Sequence, residues 1–301
     1  MSKWDKEYLK LCKEILTHGE LVKNRTGIDT IKIPSYHMNF DLNEETPVLT
    51  TKQFFWKNAL TEILWIYQIQ SNDVRDLQER NNNIWNEWAI EEDGYWRATQ
   101  NVVNAEGTIE KKDIEKHYGK EWAHTIGTAY GWIVKHYDLM NKRVLNPLKN
   151  NQTDRRMVMS LWQDEHIDTA VLPSCVWSSE WDVTDKKLNT WVHQRSCDVP
   201  LGLPFNVFQY AMLQRMVAQV SNLTPGTMDW SIKDAHIYVN QIDAIKEQLQ
   251  RYEILGDFEA PEIWLNPEID NFYHFDNSKE LKDVKVLKYN HHGKLNIPIA
   301  K

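Results

Sequence analysis

The amino-acid sequence predicts an α+β fold. One domain over residues 1–301 is expected, with a mixed or largely antiparallel sheet packed by helices. Three observations carry this. Two long apolar runs, 55–69 and 206–221, have the length and spacing of helices. The runs 28–40, 176–183 and 188–194 read as strands. Strands and helices follow no regular βαβ alternation, which argues against a parallel, doubly wound sheet.

Taken in order, residues 4–18 form a helix: Tyr8, Leu11, Cys12, Ile15 and Leu16 recur at helical spacing, and Gly19 stops it. The stretch 28–40 partly alternates and is a strand. The helix at 55–69 includes Leu60, Ile63, Leu64, Trp65 and Ile66, and 72–80 is a short polar helix. Residues 91–125 are charged, with an Asn-Ala-Glu-Gly turn at 104–107, and are expected to be a surface insertion with some helix of its own. The segments 157–162 and 169–172 are strand-like. A hairpin joins 176–183 to 188–194 across Asp185-Lys186-Lys187. The helix at 206–221 ends at Asn222 and Pro225-Gly226, and another helix is expected at 236–250. The tail, 259–301, is strand and loop.

The 14 Trp and 12 Tyr exclude a disordered chain. With 35 basic and 43 acidic residues the net charge is −8, which argues against a general nucleic-acid binder. A small anion held by a few arginines remains compatible with that balance. Cys12, Cys175 and Cys197 make no disulfide framework, and no Cys/His cluster has metal-ligand spacing. The first residues lack the apolar core of a signal peptide, and no apolar run is long enough to span a bilayer. A cytoplasmic location is therefore expected, without metal or membrane.

The chemistry-bearing stretch is 172–238. It holds Leu172-Pro173-Ser174-Cys175, Gln194-Arg195-Ser196-Cys197-Asp198, Leu201-Gly202-Leu203-Pro204-Phe205-Asn206 and Asp234-Ala235-His236-Ile237-Tyr238. Singly, each has an ordinary reading: a small buried cysteine, a surface arginine, a turn before a helix, a structural histidine. As an ordered set, they resemble the thymidylate synthase family. The resemblance extends through Asn24-Arg25-Thr26-Gly27, Leu49-Thr50-Thr51-Lys52, Glu62-Ile63-Leu64-Trp65, Ile84-Trp85-Asn86-Glu87-Trp88, Tyr130-Gly131, Asp154-Arg155-Arg156 and Pro298-Ile299-Ala300.

The resemblance implies a sheet core at a homodimer interface, and a one-carbon transfer from 5,10-methylenetetrahydrofolate to C5 of deoxyuridylate. Uracil C6 needs a thiolate, and a nearby cation favours one; the resemblance makes Cys175 that thiolate, with Arg195 beside it. It places Arg25, Arg195 and Ser196 on the phosphate, with Arg155 and Arg156 arriving from the partner subunit, and counts Gln194 among the substrate-binding residues. A carboxamide can satisfy both N3–H and O4 of uracil, and the matching residue is Asn206. His236 and Tyr238 match the pair on the sugar 3′-hydroxyl. Glu62 and Tyr130 match the groups that move protons. Ile84, Trp85, Trp88, Leu172, Asp198, Gly202, Phe205 and Ala300 match the folate site, Asp198 also counting among the catalytic set.

The sequence departs from the commonest family pattern. Val176 follows the cysteine where histidine is usual, Ser174 precedes it where proline is usual, Lys233 stands where glycine is usual, Asn86 where aspartate is common, and the last residue is Lys301. These departures leave a pyrimidine hydroxymethylase of the same fold as the alternative, with water replacing hydride.

Overall fold

The Ser2 hydroxyl accepts the Asp5 N–H at 3.1 Å and caps α1 (Lys3–His18). Tyr8, Leu11, Cys12 and Ile15 form its fully buried stripe. The computed structural model describes residues 2–24, 26–103, 109–256 and 258–299.

After β1 (Glu20–Val22) and β2 (Thr30–Asp41) comes α2 (Trp56–Leu64), which continues into a π-helical turn at Trp65–Ile69. The expected 55–69 helix is thus present, and it widens directly after Glu62, as helices often do at functional sites. α3 (Val74–Gln78) is short.

The stretch 91–125 corrects the sequence expectation. Its main elements are strands: β3 (Tyr95–Val103) and β4 (Ile109–His117) pair antiparallel, apart from the main sheet, and a 3-10 turn follows at Lys120–Trp122. The strand signal is weak because charge replaces an apolar ladder: Arg97 and Glu115 face each other across the pair, with 3.4 Å between Nε and Oε2. The 104–107 turn lies outside the described residues.

α4 (Gly131–Tyr137), a π-helical turn (Met140–Leu145) and α5 (Asn146–Asn150) lead to β5 (Val158–Ser160). The strand expected at 169–172 is replaced by a 3-10 turn, Asp164–Thr169, after which Ala170 makes an isolated bridge to Gly127. The hairpin of β6 (Val176–Thr184) and β7 (Lys187–Gln194) turns on Asp185 and Lys186, with φ of 50° and 58°. Two positive φ values give the turn whose twist suits paired strands.

β8 (Cys197–Asp198) precedes α6 (Gly202–Val220). The helix begins at Gly202 rather than Asn206 because Pro204 sits in the first turn, where its missing N–H would have no intrahelical partner. His236 and Tyr238 lie on a strand, β9 (Thr224–Tyr238), and the helix expected at 236–250 is α7 (Ile242–Leu255). In the tail, β10 (Glu262–Leu265) pairs with β11 (Val284–Leu287).

The main sheet runs β1-β2-β9-β7-β6-β5, with β8 also beside β9. The β7–β9 and β8–β9 pairs are parallel and the others antiparallel, so the sheet is mixed. α1 and α6 pack against one face. On the other face Asn39, Glu180 and Trp191 are exposed in the single chain.

Candidate active site

Cys175 stands at the entrance to β6, next to a bulge between Val176 and Ser178 that re-aims the strand. Its N–H donates to the Tyr130 hydroxyl at 3.1 Å, and its carbonyl accepts the Arg195 N–H at 2.9 Å. Arg195 then wraps the loop. Its Nε donates to Ser174 O at 3.0 Å and its Nη2 to Pro173 O at 2.8 Å, and Nη2 lies 3.9 Å from Cys175 Sγ. The guanidinium sits over the Trp162 ring at 5.4 Å. A fixed positive charge therefore faces the sulfur. The other cysteines are structural: burial pushes the Cys12 thiol to about 12 and the Cys197 thiol well above its usual value.

Tyr130 holds its hydroxyl there at a cost. Its φ of 47° with ψ of −109° is a backbone conformation that L residues avoid. The ring packs edge-on against Trp85 at 5.2 Å. Trp85 in turn donates its indole N–H to Glu62 Oε1 at 2.8 Å. Glu62 is 8% exposed, and burial raises its carboxyl from 4.5 to about 7, against the opposing pull of hydrogen bonds from Trp85 and Gln209.

A chain of amides connects this carboxyl to Asn206. The Trp230 indole donates to Gln194 Oε1 at 3.1 Å, Gln194 Nε2 to Asn206 Oδ1 at 3.1 Å, Asn206 Nδ2 to Gln209 Oε1 at 3.1 Å, and Gln209 Nε2 to Glu62 Oε2 at 2.5 Å. An indole N–H can only donate, so Trp230 fixes the direction of every amide in the chain. Asn206 keeps one Oδ1 lone pair and one Nδ2 hydrogen unspent.

Across the cleft, Asp198 accepts from Leu201 N at 3.3 Å and from Gln241 Nε2 at 3.1 Å, and burial raises its carboxyl. Gln241 also donates to Pro298 O at 3.1 Å, tying in the tail. Gly202 lies beside both Asp198 and Asn206: a Cβ there would be 4.0 Å from Asp198 Cβ and 3.8 Å from Asn206 Oδ1. Ser196 Oγ donates to Asp234 Oδ2 at 3.2 Å. His236 Nδ1 donates to Asp234 O at 3.0 Å, and the ring packs against Tyr238 at 5.1 Å. Ile84, Trp88, Leu172 and Phe205 are half-buried, and Phe205 lines a cavity of about 400 Å³ with Lys52, Phe54 and Ile297.

The structure thus joins Cys175, Arg195, Tyr130, Glu62 and Trp85 in one network of contacts, and Gln194 and Asn206 in the chain attached to it. Arg155 and Arg156 are exposed on this chain, and Arg156 Nε lies 2.9 Å from Asp154 Oδ1. Arg25 and Ala300, with Lys301, lie outside the described residues. Sequence reasoning missed Gln209, Trp230, Gln241 and Lys52. A signal existed for Gln209, a polar residue one helical turn after Asn206 on the same face of α6. Lys52 donates to Pro200 O at 2.5 Å, and burial lowers its ammonium to about 8.

Residues 6–301 match the sequence model of the family described as thymidylate synthase. A thymidylate synthase of Clostridium beijerinckii is 42% identical over 300 residues, covering all of both chains. The chain belongs to the thymidylate synthase family. The thymidylate synthase of Bacillus phage phi3T is 37% identical over 318 residues, again covering all of both chains. Among solved structures, thermostable thymidylate synthase A from Bacillus subtilis matches with a TM-score of 0.79 and 35% identity over 99% of each chain.

Within this thymidylate synthase family member, three of the departures take up ordinary positions, whereas the Ser174 hydroxyl is buried without a hydrogen-bond partner among the described residues. Val176 is buried in the sheet, and Lys233 points outward and is exposed. Asn86 is exposed and accepts from Gln78 Nε2 at 3.0 Å. Among the described residues, no group of three His, Cys, Asp or Glu could hold a metal ion, and no helix is long and apolar enough to cross a membrane.

Proposed function

We propose that this protein methylates deoxyuridylate at C5 to give thymidylate, with 5,10-methylenetetrahydrofolate as co-substrate and Cys175 as nucleophile. The observation that carries the reading is the placement of Arg195 Nη2 3.9 Å from Cys175 Sγ. The amide chain through Asn206 adds the base reader.

Attack of the Cys175 thiolate on C6 forms the S–C6 bond and moves an electron pair towards O4. The spare Asn206 N–H meets O4, and its spare lone pair meets N3–H. Cytosine presents the opposite pattern and would require Asn206 to turn against the chain anchored by Trp230. Glu62, titrating near 7, can give and take a proton beside O4 at neutral pH. The Tyr130 hydroxyl, beside the nucleophile, serves removal of the C5 proton. Arg25, Arg195 and Ser196 hold the phosphate end, Gln194 orients Asn206 on the base, and His236 with Tyr238 holds the sugar hydroxyl.

Bound methylenetetrahydrofolate supplies the one-carbon unit and then a hydride. The residues present suit it: Ile84, Trp85, Trp88, Leu172 and Phe205 offer flat apolar walls, Gly202 leaves room, and Asp198 supplies an acid for a polar ring edge. Ala300 matches the family's tail position on the folate side. Arg155 and Arg156 complete the phosphate site from a second subunit, the open face of the sheet forming the homodimer contact. A cytoplasmic setting suits cysteines that remain thiols. Water in place of hydride would yield the hydroxymethyl product; full-length relatives named thymidylate synthase favour the methyl product.

The test follows dihydrofolate by absorbance during turnover of deoxyuridylate. One dihydrofolate per nucleotide consumed is expected, and Cys175→Ser should bind nucleotide but turn none over. Release of the C5 hydrogen by Cys175→Ser would remove the nucleophile from this account.

A further inference from the structure

The β3–β4 hairpin has no role in the chemistry above, yet it touches both segments that carry the aromatic walls. On one side the Trp96 indole donates to the Glu87 carbonyl at 3.0 Å. Glu87 lies between Trp85 and Trp88. On the other side Lys116 Nζ donates to the Asp168 carbonyl at 2.5 Å, and the Tyr118 hydroxyl donates to the Ala170 carbonyl at 3.3 Å. That segment runs directly into Leu172. The Lys116 ammonium also sits over the Tyr118 ring at 4.8 Å, which holds the two donors together.

Trp96 and Lys116 are direct partners in the hairpin register. Directly opposed residues in an antiparallel pair have a fixed separation of roughly 5 Å between Cα atoms. Two segments distant in sequence are therefore held at a distance set by a single rung. We infer that this hairpin is a spacer for the folate groove, with Trp96 and Lys116 as positioning residues that set its width through the Glu87 and Asp168 carbonyls. The inference rests on the folate site proposed above. The nucleotide groups stand on other supports: Cys175 on Tyr130 and Arg195, and Asn206 on α6 and Gln194.

The experiment measures steady-state kinetics of full-length Trp96→Phe, Lys116→Met, Lys116→Met with Tyr118→Phe, and all three together, varying each substrate in turn. Trp96→Phe removes the N–H and keeps the ring; Lys116→Met removes the ammonium and keeps the stem. Each single variant should raise KM for methylenetetrahydrofolate about five-fold, the effect of one lost hydrogen bond. KM for deoxyuridylate, kcat and melting temperature should stay at wild-type values. Tyr118 still holds Ala170 in Lys116→Met, so that end is fully cut only when Tyr118→Phe is added, and adding Trp96→Phe to that pair should raise the folate KM no further. Unchanged folate KM, equal rises in both KM values, or a lower melting temperature with both KM values intact would each overturn the inference. Wild-type protein without turnover of these substrates would remove the proposed function and this inference together.

Discussion

Gln209 donates to Glu62 Oε2 at 2.5 Å while its own Oε1 accepts from Asn206 at 3.1 Å. One side chain thus links Glu62, the proposed proton carrier, to Asn206, the proposed base reader. Gln209→Leu would leave Glu62 with one donor instead of two from these side chains and push its titration further up. The loss of a hydrogen bond to a chargeable group predicts a fall in kcat of about ten-fold or more at neutral pH. A pH–rate profile that shifts upward supports the link; an unchanged profile at wild-type kcat would break it.

Glu62 also makes stability depend on pH. Its carboxyl sits at about 7 in the folded protein against an ordinary 4.5. Between those values the folded state holds a proton that the unfolded chain has released, so stability falls as pH rises through this window. The shift corresponds to roughly 3 kcal/mol, present below the window and lost above it. Glu62→Gln cannot titrate, so its stability difference between the two ends of the window should be smaller by about that amount. Urea denaturation of both proteins at each end measures it, and equal pH dependence would contradict the assignment.

Base choice should depend on a residue that does not touch the base. Trp230→Phe removes the donor that orients Gln194 and, through it, Asn206. It should cost about 1–3 kcal/mol of stability, because a buried amide oxygen loses its partner. It should also narrow the ratio of kcat/KM for deoxyuridylate over deoxycytidylate. Asn206→Asp should move the same ratio further. If neither variant changes the ratio, Asn206 does not read the base.

Arg195 holds its loop through a fork that lysine cannot reproduce. Arg195→Lys keeps the charge but gives up the bonds to Ser174 O and Pro173 O. Alkylation of Cys175 by iodoacetamide should slow about ten-fold or more, and kcat should fall with it. Wild-type alkylation rates would show that charge alone suffices.

The helical stripe of α1 and the hairpin turn at Asp185 and Lys186 were legible because each depends on local spacing. β9 was not. It alternates buried Met228, Trp230 and Ile232 with the less buried Asp229, Ser231 and Lys233, but Asp234, at a φ of 57°, breaks the run before His236. Its polar rungs belong to the open sheet face and the nucleotide site, so function overrides the strand signal. The β3–β4 hairpin was hidden for a related reason: Arg97 and Glu115 pair where apolar residues would have signalled a strand. For the proposed site, Cys175, Arg195, Glu62 and Asn206 were read from their motifs, and the structure connects them in one network. Gln209 and Trp230 were not read, because their importance lies in a hydrogen-bond chain that joins α2, α6, β7 and β9, and no linear spacing encodes it.

The most direct test is mass spectrometry of the nucleotide formed by the purified protein from deoxyuridylate and methylenetetrahydrofolate. A product heavier than deoxyuridylate by one CH₂, with none from Cys175→Ser, is expected. A product carrying an additional oxygen would mean that water captures the transferred carbon. No mass change with wild-type protein would contradict the account at its centre.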